Sequence, residues 1–205
     1  MEKPLNTTGY AVLGLLAVRP WTTYELAKQV QRSLGWFWPR AERKLYDIPR
    51  ELVARGLASV TEGRTGRRAR SIYRITPAGR LALGGWLDEP PAPPTLEFEA
   101  MVKVFFADSG SLDQLQRTLD AVAADAESRH RQLEAMIDTT DEATSEFGPR
   151  LHVNALGLRF HLEYQELLAR WAAWARVESS AWPSIADPGG WRWRDAVSPD
   201  RRDPG

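Results

Sequence analysis

The sequence predicts a mainly α protein: an N-terminal winged helix-turn-helix with a two-stranded wing, joined to a C-terminal helical dimerisation region. Three observations carry this. Residues 62–70 read Glu-Gly-Arg-Thr-Gly-Arg-Arg-Ala-Arg, four arginines in nine positions, between two short β-like runs. Three helix-like segments precede that cluster, as they would in a small helical unit followed by a cationic hairpin. Charge divides the same way: residues 1–90 carry 15 Lys+Arg against 8 Asp+Glu, and residues 91–205 carry 12 against 19. The formal net charge of zero thus hides a basic module joined to an acidic one.

At 205 residues the chain can form one domain or two small ones with a real core. It has no cysteine, which excludes disulfides, thiolate nucleophiles and cysteine-ligated zinc. No long apolar run and no signal-peptide pattern is present, so a cytoplasmic protein without a membrane partner is expected.

The first helix is expected from about Thr7 to Val18, ending before Pro20. Thr22 to Glu25 forms a Ser/Thr-x-x-Glu capping box opening a second helix, with Leu26 and Val30 on one face and Gly35 as its stop. Pro39 suits the first position of a third helix reaching about Arg55, with Gly56 as its stop. Pro49 falls inside that helix, where a missing N–H and a steric clash predict a kink or a helix in two pieces. Leu57–Thr61 and Ser71–Ile75 read as strands, with Gly63 and Gly66 supplying positive-φ positions at the tip. Thr76 caps a fourth helix that starts at Pro77 and reaches about Trp86. Residues 1–88 make the first domain. Four prolines among residues 89–94 make a stiff linker.

The second domain is placed at residues 95–178. Thr95–Ala107 is apolar on more than one face and reads as a buried helix. Ser111 opens another capping box. Leu112, Leu115, Leu119, Val122, Ala126, Arg129, Leu133 and Met136 then follow a coiled-coil-like spacing. A last helix, about Pro149 to Glu178, carries Leu158 and Leu162 on one stripe, with Phe160, Tyr164, Leu167, Trp171 and Trp174 beside it. Long helices with apolar seams need a partner surface, so Leu112, Leu115, Leu119, Val122, Leu133, Leu158 and Leu162 are candidates for homodimerisation. Residues 179–205 read as an irregular tail.

Five stretches together resemble the PadR family of bacterial transcription regulators. They are Leu13-Gly-Leu-Leu16, Thr23-Tyr-Glu-Leu26, Lys44-Leu-Tyr46, Leu52-Val-Ala-Arg-Gly-Leu57 and Tyr73-Arg-Ile-Thr-Pro-Ala-Gly79, spanning about residues 9–87. Residues 95–178 are similar, more loosely, to the family's C-terminal dimerisation region through Glu97-Phe-Glu-Ala-Met-Val-Lys-Val-Phe-Phe106. The resemblance implies a dimeric winged-helix repressor whose C-terminal helices contact the partner subunit.

Arg64, Arg67, Arg68 and Arg70 are candidates for phosphate or minor-groove contact; a merely solvated loop is the alternative. Arg40 and Arg43 belong to the part of a recognition helix that reaches base edges, with Lys44 and Arg50 as further cations of the same helix. Tyr46 either donates to a phosphate or packs its ring in the core. Thr22, Thr23 and Tyr24 sit where helix N–H groups favour a phosphate, or serve only as a cap. Nine tryptophans stand out in the composition. Trp36, Trp38, Trp171 and Trp174 are candidates for a pocket taking an aromatic small-molecule effector, against core and interface packing. His130, His152 and His161 lack metal-ligand spacing, and no catalytic motif occurs, so neither a cofactor nor an enzyme is expected. The function read from these residues is a sequence-specific regulator of double-stranded DNA. The alternative is a protein-interaction or ligand-sensor module with a vestigial winged helix.

Overall fold

The computed structural model of the chain describes residues 5–36, 38, 47–65, 68–145 and 147–197, and the side chains of all of these but 64, 65, 68 and 69. Two compact units meet in sequence after Pro94: Met1–Pro94 and Thr95–Gly205.

In the first unit, Asn6 caps helix α1 (Thr7–Val18) by accepting from Gly9 N at 2.9 Å. This apolar helix is the centre of the core, with Val12 and Leu13 fully buried. A two-residue strand, β1 (Trp21–Thr22), follows and leads straight into α2 (Thr23–Arg32). Leu26 and Val30 of α2 are buried, while Lys28, Gln31 and Arg32 are exposed. The helix stops at Arg32, short of Gly35, because the Ser33 hydroxyl and N–H both donate to Gln29 O and close the last turn. Gly35 lies instead in a 3₁₀ turn, Leu34–Trp36.

Helix α3 (Ile48–Ala54) carries Pro49 in its first turn, where no N–H is required. Pro49 therefore stands at a helix start, where the expected break falls; residues 39–46, expected in the same helix, lie outside the described residues. Gly56, at φ 69°, ends α3 in a Schellman motif. Its N–H donates to Val53 O, and Leu57 N donates to Leu52 O, both at 2.9 Å.

Strands β2 (Ala58–Thr65) and β3 (Arg68–Ile75) are antiparallel from Ala58↔Ile75 to Thr65↔Arg68, so the wing is longer than the residue pattern suggested. Gly63 is paired with Arg70 within this ladder and has no positive φ; it is a strand residue, not a turn residue. The sheet order is β1-β3-β2, with Trp21 opposite Tyr73 and Thr22 opposite Ile72. This third strand is not legible in the sequence because two residues carry no alternation. Helix α4 (Pro77–Leu87) is capped by Thr76, which accepts from Gly79 N and donates to Gly56 O at 2.7 Å. The Trp86 ring stacks on Tyr10 of α1, with centroids 4.9 Å apart.

In the second unit, α5 (Glu99–Phe105) is shorter than expected and buries none of its residues, contrary to the buried helix the sequence suggested. Phe105 is 79% exposed and Phe106 59%. Ser111 and Gln114 form the expected capping box at the start of α6 (Leu112–Asp138). This helix packs along α7 (Leu151–Ser180) within one chain. Leu115, Leu119, Val122 and Leu133 are buried in the single chain, so a second copy is not required to cover that seam. Leu112, Leu158 and Leu162 are half-buried. Arg176 Nε donates to Asp120 at 2.9 Å, tying the two helices together. The segment after α7 folds back, unlike a free tail. Trp191 Nε1 donates to Glu178 at 2.7 Å, the Trp182 and Trp191 rings meet edge to face, and a short α8 (Trp193–Ala196) follows.

Two glycines of α4 should respond oppositely to alanine. A Cβ on Gly79 would lie 2.1 Å from Leu57 O, a backbone atom, so Gly79→Ala must push α4 off the β2 junction and destabilise the unit. Gly84 faces open space, and Gly84→Ala should stabilise it by about 0.5–1 kcal/mol through helix propensity. Denaturant unfolding of both variants checks the pair.

His161 supplies a pH prediction for the second unit. Burial pushes its imidazole below the ordinary 6.5, so the fold favours the neutral form. Above that value neither state is penalised. As pH falls below it the unfolded chain takes up a proton that the fold resists, and stability is lost by at most about 1.4 kcal/mol per pH unit. Urea unfolding at about pH 7.5 and 5.5 should show the loss, and His161→Gln should flatten it.

Candidate nucleic-acid interface

The N-terminus of α2 is built by reciprocal hydrogen bonds. Thr22 Oγ1 accepts from Glu25 N at 3.2 Å, and Glu25 Oε2 accepts from Thr22 N at 2.8 Å and from Thr22 Oγ1 at 2.6 Å. Thr22 is buried and spends its hydroxyl on this cap, so it cannot also present that group to solvent. Thr23 is half-buried, and Tyr24 projects outward at 74% exposure. The first turn of α2 therefore presents the positive end of the helix dipole, one exposed phenol and, one turn on, the exposed Lys28.

The wing stands beside this helix. Arg70 is exposed on β3, and one of its guanidinium nitrogens lies 3.6 Å from Glu25 Oε2. Arg19 approaches the other carboxylate oxygen at 3.6 Å while its guanidinium lies 3.5 Å above the Trp21 ring. Partial burial pushes the Glu25 carboxyl up, but the Thr22 hydrogen bonds and the charges of Arg19 and Arg70 outweigh this and hold it below the usual carboxylate range. The Arg19–Glu25–Arg70 arrangement was not legible in the sequence, where the outer partners lie 51 positions apart; only the Thr22–Glu25 half had a local signature.

Arg64 and Arg68 lie in β2 and β3, near the hairpin end. Arg50 is exposed on α3. Arg40, Arg43, Lys44, Tyr46 and Arg67 lie outside the described residues. The four tryptophans considered for an effector pocket fall two in each unit. Trp38 is half-buried and donates from Nε1 to Thr8 Oγ1 at 3.0 Å in the first unit. Trp171 meets the Phe98 ring edge-on at 6.3 Å in the second. A groove of about 1140 Å³ in the second unit is lined by Phe98, Val102, Phe106, Leu115 and Val122 and by none of those tryptophans. Its cations are locally matched: Lys103 pairs with Glu99, Arg117 with Asp113 and Arg129 with Asp125. Among the described residues, no group of three or more His, Asp and Glu could hold a metal ion.

Comparison with known proteins assigns this architecture. Residues 12–84 match the transcriptional regulator PadR-like family. The first unit carries a PadR-like transcriptional-regulator domain. Residues 98–178 match the virulence activator alpha C-terminal model. The negative transcriptional regulator PadR of Bacillus subtilis is 26% identical over 149 residues, which is 68% of this chain and 81% of that protein. A probable transcriptional regulator of Mycobacterium tuberculosis is 31% identical over 85 residues, 41% of this chain and 45% of that one. In fold, the chain is similar to Bacillus subtilis PadR in complex with operator DNA, at a TM-score of 0.73 and 21% identity, covering 85% of this chain and 99% of that one. The Vibrio cholerae virulence activator AphA gives a TM-score of 0.64 at 25% identity, covering 85% and 99%. Bacillus subtilis PadR in complex with p-coumaric acid gives 0.66 at 22%, covering 88% and 99%.

The cap predicts its own test. Thr22→Ala removes the acceptor for Glu25 N at a buried position and should cost about 1 kcal/mol of stability, whereas Thr22→Ser should cost much less. Thermal unfolding of the two variants distinguishes them.

Proposed function

We propose that this PadR-like regulator acts as a homodimeric repressor that binds an inverted-repeat operator and is released by a small aromatic effector. The observation that carries the proposal is the pairing, in one unit, of a capped α2 N-terminus presenting Tyr24 with a long arginine-bearing hairpin. One element offers N–H groups to phosphate, and the other offers guanidinium groups, in the order a winged helix uses them. The Bacillus subtilis relative bound to operator DNA supports the partner, and the same relative bound to p-coumaric acid supports an aromatic effector.

Homodimerisation is supported by the apolar surface that the single chain leaves uncovered. Leu156, Phe160 and Leu167 are exposed on α7, as are Val102, Phe105 and Phe106 in and just after α5. Apolar side chains exposed in such numbers call for a partner surface. A second copy would place two recognition elements about one helical turn apart, ~34 Å. Activation is the second reading, favoured by the match of residues 98–178 to a virulence activator region.

Fluorescence anisotropy over a salt series tests the DNA partner. Binding to a duplex from upstream of the protein's own gene should exceed binding to a scrambled duplex and should weaken with a log–log slope of about −0.9 per phosphate neutralised. Arg67→Ala/Arg68→Ala should make the slope shallower by about 1 to 2. A salt-independent signal equal on both duplexes would overturn the proposal. Reporter expression in a deletion strain separates repression from activation.

A further inference from the structure

We infer that Glu25 is a positioning residue for DNA recognition, and that Arg70 acts as the wing's brace on α2 through Glu25 and does not contact phosphate. The inference deepens the DNA-binding function just proposed and rests on it for its effect on affinity, though not for the brace itself.

The geometry assigns these roles. Thr22 lies opposite Ile72 in the β1–β3 ladder, and Arg70 stands two residues before Ile72, on the same face of the strand. That register brings the Arg70 guanidinium to the carboxylate that caps α2. One oxygen, Glu25 Oε2, then accepts from Thr22 N and Thr22 Oγ1 and faces Arg70, while the other faces Arg19. Arg19 is itself held, since its Nη1 donates to Pro20 O at 2.9 Å and its guanidinium lies on the Trp21 ring. The carboxylate therefore joins the α1–β1 turn, the start of α2 and the wing, the parts whose mutual spacing a duplex would read.

The charge count has a consequence. A carboxylate beside the DNA-facing turn repels phosphate unless cations match it, and Arg19 and Arg70 are the cations that do so. Arg70 shares that one carboxylate with Arg19, and its engagement there makes it a poorer candidate for releasing a counterion than the cations nearer the hairpin end. The wing arginines then have two separate roles. Arg70 fixes where the hairpin stands, and the cations nearer the hairpin end meet the phosphates.

The test uses the full chain and a duplex selected by the wild-type protein from a random-sequence pool, with a scrambled duplex as control. Glu25→Gln retains an amide oxygen that can accept from Thr22, so the cap survives, and circular dichroism checks it. In this variant binding to the selected duplex should fall about three- to fivefold, the scale of one half-exposed ion pair. Binding to the scrambled duplex should not fall, and its salt slope should steepen by up to about 0.9 because Arg70 is released. Arg70→Ala should weaken the selected duplex by a similar factor with an unchanged slope, and the double variant should be no worse than either single one. An Arg70→Ala slope shallower by about 0.9, with equal loss on both duplexes, would show a phosphate contact and overturn the inference. Hydrogen exchange without DNA separates the two levels. Glu25→Gln should speed amide exchange in residues 60–65 and 68–72, and unchanged exchange there would overturn the brace even if the wild-type chain selected no duplex. Faster exchange with no duplex selected would instead keep the brace and sink the DNA-binding function.

Discussion

Two residues, Trp21 and Thr22, tie the helices of the first unit to its wing. The Trp21 side chain is 2% exposed, and its indole N–H donates to Leu15 O at 2.7 Å inside the core. Its backbone pairs with Tyr73 of β3, and its outer face carries the Arg19 guanidinium. Thr22 continues the strand and at once caps α2. A helix that begins directly from a paired strand has little freedom in its direction, so the orientation of α2 follows from the hydrogen bonds of β1. The wing inherits that orientation, because β3 is the middle strand and β2 hangs from it.

Local chemistry made much of this unit legible. Thr22-x-x-Glu25, Pro77 after Thr76 and Gly56 after α3 each state a helix boundary through one hydrogen bond or one dihedral angle, and each is found at that boundary. Less legible were features that depend on residues far apart. The strand at Trp21–Thr22 exists only because Tyr73 and Ile72 arrive beside it. The role of Glu25 in joining Arg19 to Arg70 has the same origin. Pro49 marked a break in the helical pattern, and α3 begins beside it with the proline in its first turn.

In the second unit the apolar spacing of α6 was legible, but its partner was not. Periodicity says that a face must be covered and not by which helix; here α7 of the same chain covers Leu119, Ala126 and Leu133. What remains open to a second molecule is a different surface, set by Phe105 and Phe106 and by the outer face of α7. The second unit therefore presents a helical hairpin that is internally complete and still apolar outside.

The fold-back beyond α7 changes how that helix comes apart. Helix ends fray because their terminal carbonyls and side chains are held by few contacts. Here the chain leaves α7 at Ser180, turns through Gly189 at φ 62°, and returns so that Trp191 bonds Glu178. The last turn is closed into a ring of covalent chain and one indole hydrogen bond, with Trp182 against Trp191 as its filling. Opening of that end must first break the ring. Local unwinding of α7 is thus directional, starting from Leu151, which has no side-chain cap, and travelling toward the tryptophan-closed end.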